Sequence, residues 1–258
     1  CHVAGMIVKR ATGLPWIADF RDLWTQNPYV RHAFPRTVLE RRMEKRALRR
    51  ASLLVTVSQP LADDLRMLHG KPTEVITNGY DEDDYSGNPP PSTPFFSLTY
   101  TGQIYAGKRD PSLVFESVKE LVEERAIAPE TFQIRFFGPE SNRAAVCRLA
   151  DRYGIGRYVT HGGRIPYSEA ILRQRESTAL LLLNWDIPEE KGVYTGKLFE
   201  YLGARRPVLA VPRLDGVVDD LLRRTNAGVV AGTKDEVISV LAEWYDRFMT
   251  EGAVAYSG

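Results

Sequence analysis

The chain has 258 residues, of which 43% are hydrophobic and 26% are charged, and its formal net charge is +1. This length accommodates two domains of ordinary size, and the composition is typical of a globular protein. The near-zero net charge gives no electrostatic argument for a nucleic-acid partner. No apolar run reaches the roughly 18 residues that a membrane-spanning helix needs. The two cysteines, Cys1 and Cys147, cannot build a disulfide framework, which favours a cytoplasmic location.

The first part of the chain, residues 1–86, reads as an incomplete α/β domain. It opens with Cys-His-Val-Ala rather than Met, so we expect that the preceding part of this domain is absent. A helix over 34–50 is predicted from an apolar stripe formed by Val38, Leu39, Met43 and Ala47. The other predicted elements are a strand ending at 20, strands at 53–57 and 74–76, and a helix from 58 or 59 to 68.

A change in composition separates this part from the rest. Residues 81–94 contain four prolines together with Gly, Ser, Asn and acidic residues, without apolar periodicity. Such a segment is typical of an exposed linker. We place the linker at 87–95 and a second domain at 96–258.

In the second domain, predicted strands and helices alternate, which indicates βαβ units and a doubly wound parallel sheet. The ligands of such a sheet bind at the carboxyl ends of its strands. The predicted strands are 96–101, 132–137, 157–161, 178–183, 207–211 and 227–230. The predicted helices are 110–127, 141–153, 167–174, 195–204, 215–223 and 233–248.

The most informative strand-to-helix turn begins at Thr195. Thr195 is a candidate helix cap, and Gly196 allows a ligand to approach the backbone closely. Lys197 stands in the first helical turn, where a cation is unfavourable unless an anion lies nearby. Glu200, one turn later, can accept hydrogen bonds from sugar hydroxyls. The pattern predicts a phosphate site, and the alternative is an ordinary capped helix with a solvated Lys and Glu.

Three other strand ends carry candidate binding residues. After 96–101 come Gly102, Lys108 and Arg109, either a diphosphate site or a charged pair on an exposed loop. Gly138 follows 132–137 and either faces a nucleotide or permits a tight turn. A third turn carries Arg164 and Ile165, which could hold a flat base. No His or Cys pair has metal-ligand spacing, and no Gly-x-Gly-x-x-Gly pattern follows a strand, so neither a metal nor NAD is predicted.

Five short segments form an ordered set of motifs: 19–24 (DFRDLW), 55–58 (VTVS), 76–81 (ITNGYD), 100–103 (YTGQ) and 196–202 (GKLFEYL) with Pro207 and Val208. Taken together, they resemble the motifs of GT-B-fold glycosyltransferases, in particular the bacterial family-4 group that builds surface polysaccharides and glycolipids. They occur in the family's order and cover nearly the whole chain.

The resemblance implies two Rossmann-like domains facing a cleft, the first on the acceptor side and the second binding the donor. It implies sugar transfer from a nucleoside-diphosphate sugar to a hydroxyl of a saccharide or lipid-linked acceptor, with retention at the anomeric carbon and without a metal or other cofactor. Lys108 or Arg109 and the backbone near Thr195 and Gly196 would hold the diphosphate, and Glu200 would bind the ribose. The family's other glutamate would fall at Gly192, so its role is not assigned.

On the acceptor side, Asp19, Arg21 and Asp22 follow a predicted strand end. They are candidates for a catalytic role, and the alternative is a buried salt bridge that fixes the turn. The transfer itself requires no side-chain nucleophile, because stabilising the leaving diphosphate and holding the acceptor hydroxyl suffice.

Residues 31–50 carry eight Arg or Lys against Glu40 and Glu44, a local net charge of +6. Such a stretch is either a solvated face or a contact with anionic lipid headgroups at the inner face of the cell membrane. Two further functions remain open for the whole chain. One is a GT-B-fold nucleotide-sugar epimerase, and the other is a non-catalytic nucleotide-sugar-binding fragment.

Overall fold

The computed structural model describes residues 2–27, 29, 33–105 and 107–258. The chain forms two compact units, and each has an α/β fold with a parallel sheet, as the sequence predicts. The first unit comprises Cys1–Asn78 and Glu189–Tyr194, and the second comprises Gly79–Pro188 and Thr195–Gly258. The boundaries at 86 and 96, which rest on composition, stay predictions.

The first unit is built on three parallel strands in the order β1-β2-β3. Phe20, Leu48, Leu54 and Leu65 belong to its core. A helix near the start of the chain is not among the predicted elements, and none of its residues is buried. The elements are α1 (His2–Thr12), β1 (Ile17–Phe20), α2 (Arg36–Leu48), β2 (Leu53–Thr56), α3 (Gln59–His69) and β3 (Thr73–Val75).

The predicted apolar stripe of α2 is largely wrong. Val38, Leu39 and Met43 are 40%, 59% and 45% exposed, whereas the buried residues of α2 are Glu44, Ala47 and Leu48. Polar contacts of Glu44 favour this orientation. Periodicity of hydrophobic residues alone could not reveal it.

Glu44 faces inward because its carboxylate has polar partners there. It accepts a hydrogen bond from the Thr25 backbone N–H at 3.2 Å and lies 3.3 Å from the His69 Nε2 atom. Burial acts to raise the pKa of Glu44, but the hydrogen bonds with His69 and Thr25 outweigh it and lower the pKa. A buried carboxylate is stable only when it is paired in this way.

The second unit contains a six-stranded parallel sheet in the order β6-β5-β4-β7-β8-β9. The predicted bounds of its first two strands agree with the structure, and β7 is buried along its whole length. The strands are β4 (Phe96–Thr101), β5 (Phe132–Phe137), β6 (Val159–His161), β7 (Ala179–Leu183), β8 (Val208–Val211) and β9 (Gly228–Val230). The helices are α4 (Ser112–Glu124), α5 (Glu140–Arg152), α6 (Tyr167–Glu176), α7 (Gly196–Ala204), α8 (Val217–Thr225) and α9 (Lys234–Glu251).

The strand order reverses between β4 and β7. The chain runs from β4 outward to β5 and β6, then crosses back to continue on the other side of β4. In an open parallel sheet the crevice at such a reversal, beyond the carboxyl ends of the strands, is where ligands bind. The fold therefore predicts a ligand site at the loops after β4 and β5 and at the start of α7.

The described part of the chain also contains three short 3₁₀ helices, at Glu82–Tyr85, Gly156–Tyr158 and Pro188–Gly192. The Glu82–Tyr85 turn packs against α6 and α7 within the second unit. Residues 79–86, which the sequence analysis assigns to the first domain, thus belong to the second unit.

Candidate functional site

Two glycines bring the ends of β4 and β5 close together. Gly102 has φ +119, a conformation that side chains disfavour, and a Cβ atom there would lie 2.6 Å from Lys197 Nζ. A Cβ atom on Gly138 would collide with the Gly102 carbonyl oxygen. Both glycines are therefore needed for close packing at the strand ends.

A cavity of about 580 Å³ opens at this edge of the sheet, a volume within the usual range for small-molecule sites. It brings together six residues that the sequence singles out, and all of them belong to the second unit. They are Gly102, Gly138, Arg164, Ile165, Lys197 and Glu200. Thr101, Gln103, Phe137, Pro139, Tyr167 and Ala170 complete the lining.

Lys197 and Arg109 form a pair of poorly solvated cations at this site. The pKa of Lys197 is lowered to about 8, first by burial and then by the charge of Arg109, while the charge of Glu200 acts in the opposite direction. Arg109 is only 9% exposed and lies 5.6 Å from the Tyr105 ring centroid. Two cations held together out of water are unfavourable until an anion joins them. The pair is thus suited to a phosphate.

The N-terminus of α7 differs from the prediction in one respect. Thr195 occupies the cap position, but its side chain makes no capping bond, and its hydroxyl oxygen has no partner among the described residues. The predicted side-chain cap is therefore wrong. Gly196 is exposed, and a Cβ atom there would contact nothing within 4 Å. The first-turn N–H groups of a helix lack intrahelical partners and favour an anion.

Glu200 is held by a small polar network that the sequence did not reveal. Gln174 Nε2 donates to Glu200 Oε2 at 3.1 Å and to Thr101 Oγ1 at 2.9 Å. The Tyr201 hydroxyl accepts a bond from the Thr101 N–H at 3.1 Å. These contacts join α6, α7 and the end of β4, so they fix the carboxylate of Glu200 at the cavity. Only the strand order brings the three elements together.

Lys108 and Arg109, alternatives in the sequence, occupy different surroundings. The Lys108 ammonium lies 4.6 Å from the Trp185 ring centroid, and Lys108 is not among the residues that line the cavity. Arg109 does not line it either, but its charge acts on Lys197. Of the two, Arg109 is the one associated with the α7 terminus.

In the first unit, Arg21 ties the end of β1 to the segment after β3. Its Nε atom lies 3.1 Å from Asp19 Oδ2, and its Nη1 atom donates to the Ile76 carbonyl at 3.1 Å. Asp19 and Arg21 are each 47% exposed, so the salt bridge considered in the sequence exists but is not buried. Exposed pairs of this kind contribute about 0–1 kcal/mol to stability. Because about half of each side chain is exposed, both remain accessible to a ligand.

Glu190, to which the sequence assigns no role, is a buried carboxyl in the same unit. It is 3% exposed, and its Oε1 atom has no hydrogen-bond partner within the described part of the chain. Burial raises the pKa of Glu190 to about 7, and the negative charge of Asp22 contributes to the shift. No sequence pattern identifies this residue, because its burial depends on how the 189–194 segment joins the first unit.

Three further points concern metal ions, membrane-spanning helices and the residues that the structure does not describe. Over the described ranges, no group of three His, Cys, Asp or Glu residues could hold a metal ion. No helix in this same portion of the chain is long and apolar enough to cross a bilayer. Cys1, and Arg31 and His32 of the basic stretch, lie outside the described residues.

A family model matches the first part of the chain. Residues 2–79 match the family described as the glycosyl transferase 4-like domain. This match covers 78 of the 258 residues. No protein with a curated functional description matches the chain significantly.

Solved structures of glycosyltransferases share the fold over nearly the whole chain. Anabaena HepE in complex with UDP is 14% identical with a TM-score of 0.69, covering 99% of this chain and 69% of HepE. Sucrose-phosphate synthase from Thermosynechococcus elongatus is 14% identical with a TM-score of 0.61, covering 99% of this chain and 64% of the synthase. A glycosyltransferase from Rickettsia africae is 11% identical with a TM-score of 0.68, and the match covers 94% of this chain and 63% of the Rickettsia protein.

The predicted resemblance to GT-B-fold glycosyltransferases is thereby confirmed, through the family match in the first unit and the fold in both. At such low identities the structural likeness establishes the fold, while the function must be argued from the site.

Proposed function

We propose that this chain contains the donor site of a glycosyltransferase, which moves a sugar from a nucleoside-diphosphate sugar to a hydroxyl acceptor. The observation that carries the proposal is a pair of poorly solvated cations, the partly buried Lys197 in the first turn of α7 and the buried Arg109, whose charge acts on it. Beside it, the Glu200 carboxylate lines a cavity of about 580 Å³ at the strand-order reversal. The cations provide a positively charged binding site for a diphosphate, and Glu200 provides a hydrogen-bond acceptor for ribose hydroxyls.

The arrangement suggests how the donor would lie. The diphosphate would bind Lys197, Arg109 and the N–H groups near Thr195 and Gly196, with Lys108 as a more distant cation. The ribose would reach Glu200, and the base would lie against Gly138, Arg164 and Ile165. UDP is the first nucleotide to test, because HepE structures contain UDP and UDP-glucose.

We further propose that the reaction retains the anomeric configuration and needs no metal. As the bond to the sugar breaks, negative charge grows on the leaving diphosphate. Lys197, Arg109 and the α7 terminus would stabilise that charge, which is the role that a metal ion plays in other transferases. Asp19, Arg21 and Asp22 would act on the acceptor side.

The acceptor would be a saccharide or a lipid-linked saccharide in the synthesis of a surface polysaccharide or glycolipid, at the inner face of the cell membrane. Support comes from α2, where basic residues accompany the exposed Leu39 and Met43. A surface that combines cations with exposed apolar side chains suits a membrane interface. In the sequence, Arg31 contributes one of the eight basic residues of the 31–50 stretch.

Calorimetric titration with UDP, GDP, ADP and CMP tests the donor site. Saturable binding of one nucleotide that Lys197→Ala and Glu200→Ala both weaken would support it. If none of the four binds, the proposed donor site is wrong. A chelator-treated sample should bind equally well if no metal is needed.

Incubation with the matching nucleotide sugar then separates the three functions. Transfer to an added saccharide, with an α-linked product from an α-linked donor, supports a retaining transferase. Conversion of the donor into a stereoisomer would indicate the epimerase. Binding without turnover would indicate the non-catalytic fragment.

A further inference from the structure

A second cavity lies in the same unit, on residues that the donor cavity does not use. Its volume is about 550 Å³, and it is formed by the 80–89 segment and by the ends of α6 and α7. None of its lining residues also lines the donor cavity. The residues used in the argument are Tyr80, Glu82, Tyr85, Arg175, Arg205 and Arg206.

The aromatic wall of this cavity is tightly built. The Tyr80 and Tyr85 rings meet edge to face, with their centroids 5.3 Å apart. A Cβ atom on Gly203 would lie 2.7 Å from the Tyr85 ring and 2.8 Å from the Tyr80 ring, so the backbone of α7 packs directly against both. The Tyr85 hydroxyl donates to the Glu200 carbonyl at 3.0 Å. The two rings therefore form a fixed surface.

The lining of the cavity also includes three arginines whose charge is not neutralised by direct pairing. Arg175 Nη2 donates to the Gly87 carbonyl at 3.1 Å, and Arg206 Nε donates to the Arg175 carbonyl at 2.8 Å. These partners are neutral. Among the described residues, none of the three arginines forms a salt bridge with a carboxylate, and Glu82 is the one acidic side chain in the lining.

This concentration of positive charge is unfavourable in the empty cavity. Arg175 is 9% exposed, and both burial and the charge of Arg175 lower the pKa of Arg206. A bound anion would relieve the repulsion, and the planar guanidinium group matches phosphate and carboxylate geometry. The tyrosine rings offer an apolar face to the body of the same molecule.

We propose that this second cavity binds a small molecule that joins a phosphate or carboxylate group to a sugar-like body. The anion contacts Arg205 and Arg206, and the body packs on Tyr80. This site stands independently of the proposed transferase activity, because its residues and those of the donor cavity do not overlap.

Ligand-observed NMR and calorimetry test the site with glucose 6-phosphate, glucuronate and uncharged glucose as probes. The informative variant is Arg205→Gln, since Arg205 is exposed and is not tied to a backbone carbonyl in the structure. Arg205→Lys keeps the charge, and Lys197→Gln alters the donor cavity instead. Thermal unfolding of each variant verifies that the fold is intact.

We expect at least one charged probe to bind saturably and uncharged glucose to bind much more weakly. Arg205→Gln should weaken binding about tenfold, Arg205→Lys less, and Lys197→Gln not at all. Preference for glucose 6-phosphate or for glucuronate identifies the anion. The proposal is overturned if neither charged probe binds, if Arg205→Gln has no effect, or if Lys197→Gln abolishes binding.

Discussion

The Lys197 ammonium lies 5.0 Å from the centroid of the Tyr100 ring, at the end of β4. Tyr100 is fully buried, so the cation is held against an aromatic face rather than in water. The contact is favourable for an ammonium group, yet it does not restore the hydration that burial removes. Lys197 is therefore a poorly hydrated cation, and in the proposed donor site its partner would be the diphosphate.

Replacement of Lys197 by Ala should weaken nucleoside-diphosphate binding by about 10–100-fold, since a charged hydrogen bond contributes about 1.5–3 kcal/mol. Calorimetry with UDP, or with whichever nucleotide binds, measures the change. Lys119→Ala, at an exposed position of α4, is the matched control and should bind as the unmodified protein does. Equal affinity of both variants would exclude Lys197 from the donor site.

Nucleotide affinity should fall as the pH rises through about 8. The pKa of Lys197 in the folded protein is about 8, so its positive charge is lost above that pH unless a ligand holds the proton. Titrations between pH 7 and pH 9 measure the effect. In Lys197→Gln this pH dependence should disappear, and its persistence would assign the titration to another group.

The same shift affects stability without ligand. The pKa of Lys197 is lowered on folding, so the unfolded chain binds more protons between pH 8 and the ordinary value of 10.5. Over that window the unmodified protein should gain stability relative to Lys197→Gln. Denaturant unfolding of both proteins at pH 8 and pH 10 provides the comparison.

Gly196→Ala should separate binding from folding. The position is the first residue of α7 and has open space for a methyl group, so Ala should leave stability unchanged or raise it by about 0.4–1 kcal/mol. If the diphosphate approaches this backbone closely, the methyl group will obstruct it and affinity should fall. Unfolding and UDP titration of one preparation give both values, and unchanged affinity would place the diphosphate elsewhere.

Gly138→Ala, unlike Gly196→Ala, should lower the stability of the fold. Its methyl group would collide with the Gly102 carbonyl, so the loops after β4 and β5 must separate. Overpacking of this kind costs about 1–3 kcal/mol, which denaturant unfolding can measure. A variant as stable as the unmodified protein would show that these loops move apart without cost.

Glu190→Gln should stabilise the protein above pH 7. The pKa of Glu190 is raised on folding from 4.5 to about 7, first by burial and then by Asp22. Folding stability is therefore lost as the pH rises from 4.5 through 7, and a neutral Gln avoids this loss. The variant's advantage in the free energy of unfolding should be small at pH 5 and should reach roughly 1–3 kcal/mol at pH 8. Denaturant unfolding of both proteins at the two pH values measures it.

Asp22→Asn tests the electrostatic part of that argument. Removing the neighbouring charge should reduce the pH-dependent loss without abolishing it, because burial is the larger cause. Glu189→Gln, at the exposed adjacent position, should leave the pH dependence unchanged. An equal effect of Glu189→Gln would mean that Glu190 is not the titrating group.

The sequence by itself determined the elements of the second unit and the residue types at its strand ends. Strands such as Phe96–Thr101 and Phe132–Phe137 were predictable because continuous apolar runs between turn signals depend only on local order. The family-4 resemblance was predictable for the same reason, since its motifs are short and contiguous. The location of a ligand site followed from the rule for parallel sheets.

Only the tertiary structure decided which candidates meet. It associated Arg109 rather than Lys108 with Lys197, left Thr195 without a capping bond, and turned Glu44 inward in place of Leu39. It also buried Glu190 and placed Gln174 on Glu200. Each outcome depends on desolvation and hydrogen bonding between segments distant in sequence. These energies are set by neighbours in space, which the local pattern of residues does not encode.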